Sequence, residues 1–179
     1  MKLVKPLTLL VCLLCLSYES SAAVKGKYVY ATSWDDGYFL DPYHETISGF
    51  ESNVNKEMGL CTDTTERRVP GKLVGKKCYV EWKGREYSNS EFFLLREGQG
   101  YFKLLTPYNK SDIMKKGITP GSYDEGNPVY HCRIQSQADR IDLLGKYNPS
   151  RNGCYYGIWG THFRSVNDPT VTLSVFVAR

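Results

Sequence analysis

The chain has 179 residues, with 23 Lys and Arg against 19 Asp and Glu, a formal net charge of +4. So mild an excess, with no Lys/Arg run longer than two residues, argues against a polyanion-binding stripe and makes no case for a nucleic-acid partner.

Residues 1–23 carry Lys2 and Lys5, then the apolar "LTLLVCLLCL" from Leu7 to Leu16, then a polar stretch ending "SSAA". A basic start, a short apolar core and small residues describe a secretory signal peptide. Ten apolar-rich residues are too few to span a bilayer, so no membrane anchor is expected there, and no second run of spanning length exists. Removal of residues 1–23 takes away two lysines and one glutamate and leaves residues 24–179, a secreted chain of formal charge +3. That length fits one domain with a sizeable core.

Along residues 24–179 the pattern is β. "KYVYATSW" is rich in β-branched and aromatic residues, and Trp34 is expected to anchor this first strand. "CYVEW" and "GYFKLL" read the same way, while "KSDIMKKG" suggests a single helical turn at most. "VTLSVFV" puts Val171, Leu173, Val175 and Val177 on one strand face, with Phe176 breaking the alternation. Clusters such as "DEGNP", "NPSRNG" and "VNDP" mark the turns between strands. The expected fold class is all-β.

Six cysteines are present, of which Cys12 and Cys15 leave with the signal. Cys61, Cys78, Cys132 and Cys154 remain, an even count that suggests two disulfides in an oxidising compartment. C-x-x-C spacing is absent, so no structural zinc is expected.

The chain reads as one unit written twice, about 24–99 and 100–179. Ile47-x-Gly-Phe-Glu faces Ile118-x-x-Gly-x-Tyr-Asp; Cys61 faces Cys132; Gly71-Lys72 faces Gly145-Lys146; Cys78-Tyr79 faces Cys154-Tyr155; Gly84 faces Gly160. The offset is 71 residues at the first cysteine and 76 at the second, a drift that small loop insertions explain. Two copies make a duplicated subdomain with a pseudo-two-fold axis rather than an array. If the copies fold alike, the simplest bonding is Cys61–Cys78 and Cys132–Cys154; bridges between copies stay open as the alternative. In each copy a lysine follows glycine at what reads as the start of a turn, where its tip would stand in solvent.

An ordered series of short motifs recurs in both copies: "GFE" and "GSYD", "LCT" and "HCR", "PGK" and "LGK", "CYVEWKGREY" and "CYYGIWGTHF", "FFLL" and "LSVF". The series resembles the DM-nine repeat family of small invertebrate proteins, over about Ile47 to Phe176. The resemblance implies an all-β domain of two pseudo-symmetric halves and, from the family's lectin members, metal-independent mannose binding by the lysine and the acidic residue of each repeat. Carried onto this chain, these are Lys72, Lys146, Asp124 and Glu51, each lysine meeting an acid from its own copy or, if strands are exchanged, from the other. Glu86 is a supporting residue, and Tyr79, Tyr155, Trp82 or Trp159 are candidates to cover a sugar ring. The chain departs from the family pattern at Glu51, where the family has Asp, at Leu144, where the first copy has Pro70, and at His162, which aligns with Glu86.

The chemistry of such a pair is simple. A carboxylate accepts from two neighbouring hydroxyls and an ammonium donates up to three bonds, so the two together hold a hydroxyl pair without calcium or any cofactor. Two linked sites would make weak binding useful on a dense microbial glycan surface, as in innate immune recognition. An enzyme is not expected: His44, His131 and His162 share no metal spacing, no HExxH or GxSxG occurs, and "DPYHE" with Asp41, His44 and Glu45 reads as loop polarity. The alternative is a non-catalytic secreted protein-interaction protein with degenerate sugar sites. Asn109 in "NKS" is a glycosylation sequon, whereas the proline in "NPS" excludes Asn148. Oligomeric state is left open.

Overall fold

A computed structural model describes residues 23–32, 45–51, 54–158 and 160–179. Residues 1–22 of the signal segment, Trp34, the Asp41–His44 stretch and Trp159 lie outside the described residues.

The first half of the chain forms β1 (Val24–Lys25), β2 (Tyr28–Thr32), β3 (Thr46–Glu51), β4 (Val54–Asp63), β5 (Pro70–Val74), β6 (Lys77–Trp82), β7 (Arg85–Asn89) and β8 (Glu91–Leu95). Then follow β9 (Gly100–Leu104), α1 (Lys110–Lys116), β10 (Ile118–Thr119), β11 (Tyr123–Asp124) and β12 (Asn127–Pro128). The chain ends in β13 (Tyr130–Ser136), β14 (Ile141–Asn148), β15 (Gly153–Gly157), β16 (Thr161–Ser165) and β17 (Thr172–Ala178). The fold is all-β with two disulfides.

Antiparallel pairing runs β2–β8–β4–β5–β6–β7 on one side and β9–β17–β13–β14–β15–β16 on the other. The two orders match strand for strand, and β3 joins them by pairing with both β4 and β14. Disulfides link Cys61 to Cys78 and Cys132 to Cys154, one in each half. Each straddles the middle strand of its half, since Cys61 lies opposite Gly71 and Cys132 opposite Gly145.

Two buried clusters form the core. One gathers Met58, Leu60, Ile134, Leu143, Tyr147 and Phe176, and the other Ala31, Leu73, Val80, Phe92 and Leu94. Strand β17 is buried on both faces from Leu173 to Val177, because β13 and β9 flank it and core lies on either side. Phe176 therefore packs inside, edge-on to Phe102, instead of breaking an amphipathic strand. The segment "KSDIMKKG" carries a seven-residue helix rather than a single turn. Its hold is tertiary: Ile113 is buried and Asp112 accepts from Lys103 at 2.7 Å. Among the described residues no helix is long and apolar enough to cross a membrane.

The Gly-Lys pairs do not open turns. Both lie inside strands, Lys72 on a rung between Leu60 and Tyr79, Lys146 between His131 and Tyr155. The glycines permit close backbone approach: a Cβ at Gly71 would stand 2.3 Å from the Tyr79 carbonyl oxygen, and one at Gly145 2.2 Å from that of Tyr155. The turn after Lys72 comes at Gly75, with φ of +58°.

Candidate functional site

With their rungs covered on both sides, the lysines are 5% and 2% exposed, so neither presents a solvated tip. Each is instead the centre of a buried polar cluster.

Around Lys72, Nζ stands 3.2 Å from Glu51 Oε1 and donates to the Gly157 carbonyl oxygen at 2.5 Å. The Tyr79 ring centre is 5.9 Å away. Glu51 also accepts from Lys56 through its other oxygen. Burial pushes the Glu51 carboxyl up, but the Lys56 hydrogen bond and the charge of Lys72 outweigh it and hold it below the usual range. Glu86, on the neighbouring edge strand, fills the space that Gly157 leaves: a Cβ there would sit 1.8 Å from Glu86 Oε1. Burial raises the Glu86 carboxyl, and the charge of Lys72 only partly offsets that. Together these groups line a notch of ≈190 Å³ with Lys56 and Val74.

Around Lys146, Nζ stands 3.0 Å from Glu81 Oε2 and 3.4 Å from Asp124 Oδ2. Its ammonium faces two rings, Trp82 at 4.8 Å and Tyr155 at 5.1 Å from their centroids. Asn148 donates to the same Asp124 oxygen at 3.0 Å, and Glu81 accepts the Gly84 N–H at 2.8 Å through Oε1. A cleft of ≈350 Å³ opens on this cluster, with Glu125 and Arg151 paired at its rim.

The two clusters share one plan. Each lysine takes a carboxylate and a tyrosine from its own half, and a third partner from the opposite half. That third partner is Gly157 for Lys72 and Glu81 for Lys146. Both stand three residues after the second cysteine of their half, on β15 and β6. Each lysine thus meets an acid of its own half, Lys72 with Glu51 and Lys146 with Asp124, and Tyr79 and Tyr155 stand beside them. Glu81 was missed by sequence reasoning. Its only signal is a charge on the same strand face as Tyr79. By register Glu81 faces Glu86, and Gly157 faces Thr161; Thr161 therefore takes the rung matching Glu86, while His162 stacks on Tyr156 at 5.3 Å. Four residues separate Glu81 from Glu86 but three separate Gly157 from Thr161, which shifts the simple alignment by one. Asn109 is partly exposed; its side chain accepts from Thr106 N–H and donates to the Leu104 carbonyl.

The DM9 repeat model matches residues 62–165. This chain belongs to the DM9 repeat family. The match contains Lys72, Tyr79, Glu81, Glu86, Asp124, Lys146 and Tyr155, and it begins after Glu51. Among solved structures, the fold is similar to that of the nematode sperm cell motility protein MFP2B, with a TM-score of 0.53 at 11% identity. The likeness covers 87% of this chain but 45% of that one, so the DM9 chain here spans less than half of its neighbour's length. At that identity the likeness concerns the fold alone. No curated protein matches the chain.

Proposed function

We propose that this DM9 protein is a secreted, metal-independent carbohydrate-binding protein of the mannose-binding type, serving recognition of microbial glycans, with one site at each lysine cluster. The reading takes residues 1–23 as a signal peptide and the two halves, about 24–99 and 100–179, as copies of one unit. One observation carries it: a lysine, a carboxylate and a tyrosine converge twice, each time beside an opening. The charges lining each opening balance, which suits a neutral ligand. At the first, Glu51 and Glu86 stand against Lys56 and Lys72. At the second, Glu81, Asp124 and Glu125 stand against Lys83, Lys146 and Arg151. The carboxylates accept from sugar hydroxyls, the ammonium groups donate, and the tyrosine offers an apolar face. Two disulfides fit an extracellular location.

A second reading is favoured by the depth of the lysines. At 5% and 2% exposure they can serve as joints between the halves, leaving the chain a non-catalytic protein-interaction module. Pull-down on immobilised mannan, with Lys72→Met and Lys146→Met singly and together, separates the two. The lectin reading expects the double variant to fold and lose mannan. If wild-type protein ignores mannan and every other immobilised neutral glycan, or if the folded double variant still binds, the lysine sites are not sugar sites.

A further inference from the structure

A third opening lies on the face of the β3–β14 junction opposite Glu51, and it meets the Lys72 cluster at Lys56, which lines both. One rung of the sheet runs Thr172, Gln135, Asp142, Phe50, Asn55, each paired in register with the next, on β17, β13, β14, β3 and β4. Residues on one antiparallel rung share a face. Four inter-strand steps of about 4.8 Å make this row about 19 Å long. A cavity of ≈720 Å³ covers one end, between the turn at Gln137–Ala138 and the loop at Pro169–Thr170. A second, of ≈390 Å³, shares Phe50 and Asp142 with the first and continues to Asn55, to Lys56, whose ammonium Glu51 holds, and to the exposed Glu57 at its far end.

The chemistry of this groove is specific. The larger cavity has one ionisable residue, Asp142, and it is spoken for: Arg133 holds both its oxygens at 2.7 Å and Gln135 donates to it at 3.1 Å. Its charge is offset and its position fixed, so that end selects neither an anion nor a cation. What remains is a half-buried aromatic ring flanked by amides and hydroxyls: Phe50 with Gln135, Gln137, Asn55, Thr170 and Thr172. An aromatic face with amide groups beside it matches a pyranose, which has an apolar face and a hydroxyl rim. The row is too long for one ring. A peptide adding as a strand has no edge to join here, because β3, β13 and β14 are each paired on both sides at this rung.

We propose that this groove binds a linear, uncharged oligosaccharide, with Phe50 stacking under one ring and Asn55, Gln135 and Thr172 meeting hydroxyls of its neighbours. The site touches the Lys72 cluster at Lys56 but is lined by neither Lys72 nor Lys146, so it holds or fails separately from binding at those lysines. The test is titration of the isotope-labelled full chain with mannose, linear mannotetraose and linear tetramers of glucose and N-acetylglucosamine, followed by amide shifts. At least one tetramer is expected to move the amides of Phe50, Asn55, Gln135, Asp142 and Thr172, with mannose at least tenfold weaker there. Phe50→Ala should weaken that binding at least tenfold. Gln135→Lys, at a partly exposed position, should do the same by steric and charge intrusion, and serves if the Phe50 variant does not fold. Lys72→Met/Lys146→Met should leave the groove affinity within twofold while abolishing any shifts around the lysines. Shifts confined to the lysine clusters, no shifts with any tetramer, or unchanged affinity in a folded Phe50→Ala or Gln135→Lys variant would overturn the proposal.

Discussion

Replacing Glu81 by leucine removes the carboxylate that the first half of the chain places 3.0 Å from Lys146. The two side chains are 4% and 2% exposed, so the lysine cannot turn to water for compensation. Breaking a buried ion pair by deleting one partner costs about 3–5 kcal/mol, because the other charge is left buried. Asp124 still stands 3.4 Å from the ammonium but is 25% exposed, which places the loss near the lower end, about 3 kcal/mol. For a domain of this size that corresponds to a fall in Tm of about 6–12 °C. Lys146→Met should cost at least as much, since it strands Glu81 with only the Gly84 N–H to satisfy it. The double variant Glu81→Leu/Lys146→Met replaces the pair by apolar groups of similar size and should lie within about 1 kcal/mol of wild type. Equilibrium urea unfolding of the four proteins closes the cycle. A Glu81→Leu loss below about 1 kcal/mol, or a double variant whose loss equals the sum of the singles, would refute the claim that these residues form one buried ionic joint between the halves.

Other outcomes follow from the same geometry. Gly157→Ala drives a methyl into the Glu86 carboxylate and should cost about 1–3 kcal/mol in urea unfolding, with Glu86→Ala restoring most of it. Replacing Cys61 and Cys78 together by alanine frees a closed loop with a sequence separation of 17 and should cost about 3 kcal/mol by the same measurement. Glu51 sits below its ordinary range, so its contribution is present above the unfolded value and disappears as pH falls through the folded one; Glu51→Gln should lower Tm at pH 7 and make no difference in strong acid. Glu86 is displaced upward, so its ionisation opposes folding as pH rises through its raised value, and Glu86→Gln should gain Tm relative to wild type at pH 7 more than at pH 4. Burial lowers His131 to about 3, which keeps it neutral in the folded state; the unfolded chain takes up that proton first, so stability falls as pH drops below the ordinary histidine value, and His131→Phe should show a shallower acid-side decline in Tm.

Much of the fold was legible because each of its signals is local. Aromatic and β-branched runs named the strands, and Gly, Pro and Asn clusters named the turns. Where a segment's fate depends on what covers it, the local pattern misleads. Strand β17 alternates like a half-exposed strand, yet Ser174 and Phe176 are buried along with their neighbours, because core packs on that face too, with Phe102 edge-on to Phe176. The helix at Lys110–Lys116 is too short to hold by propensity and depends on Ile113 and on the Lys103–Asp112 pair, neither of which the segment itself reveals.

The lysine clusters divide along the same line. That Lys72, Lys146, Glu51 and Asp124 are the site's charged residues followed from the family resemblance; which acid each lysine meets did not. That Gly71 and Gly145 permit close packing instead of a turn was not readable either, because glycine's two uses look identical in a sequence. The third partner of each lysine comes from the other half, where matching positions hold Gly157 and Glu81. A glycine there leaves room that Glu86 occupies, and the lysine bonds to a backbone carbonyl that no substitution removes. A glutamate there puts a second carboxylate on the lysine and leaves the cleft wall to Trp82. Two openings of common plan are therefore unlike in charge density, size and aromatic lining, and a ligand that both admit should occupy them with unequal affinity. Any side chain at 157 meets the Glu86 carboxylate, so exchanging the occupants takes Glu81→Gly and Gly157→Glu together with Glu86→Ala; that triple variant should invert which lysine cluster responds first in a titration with mannose.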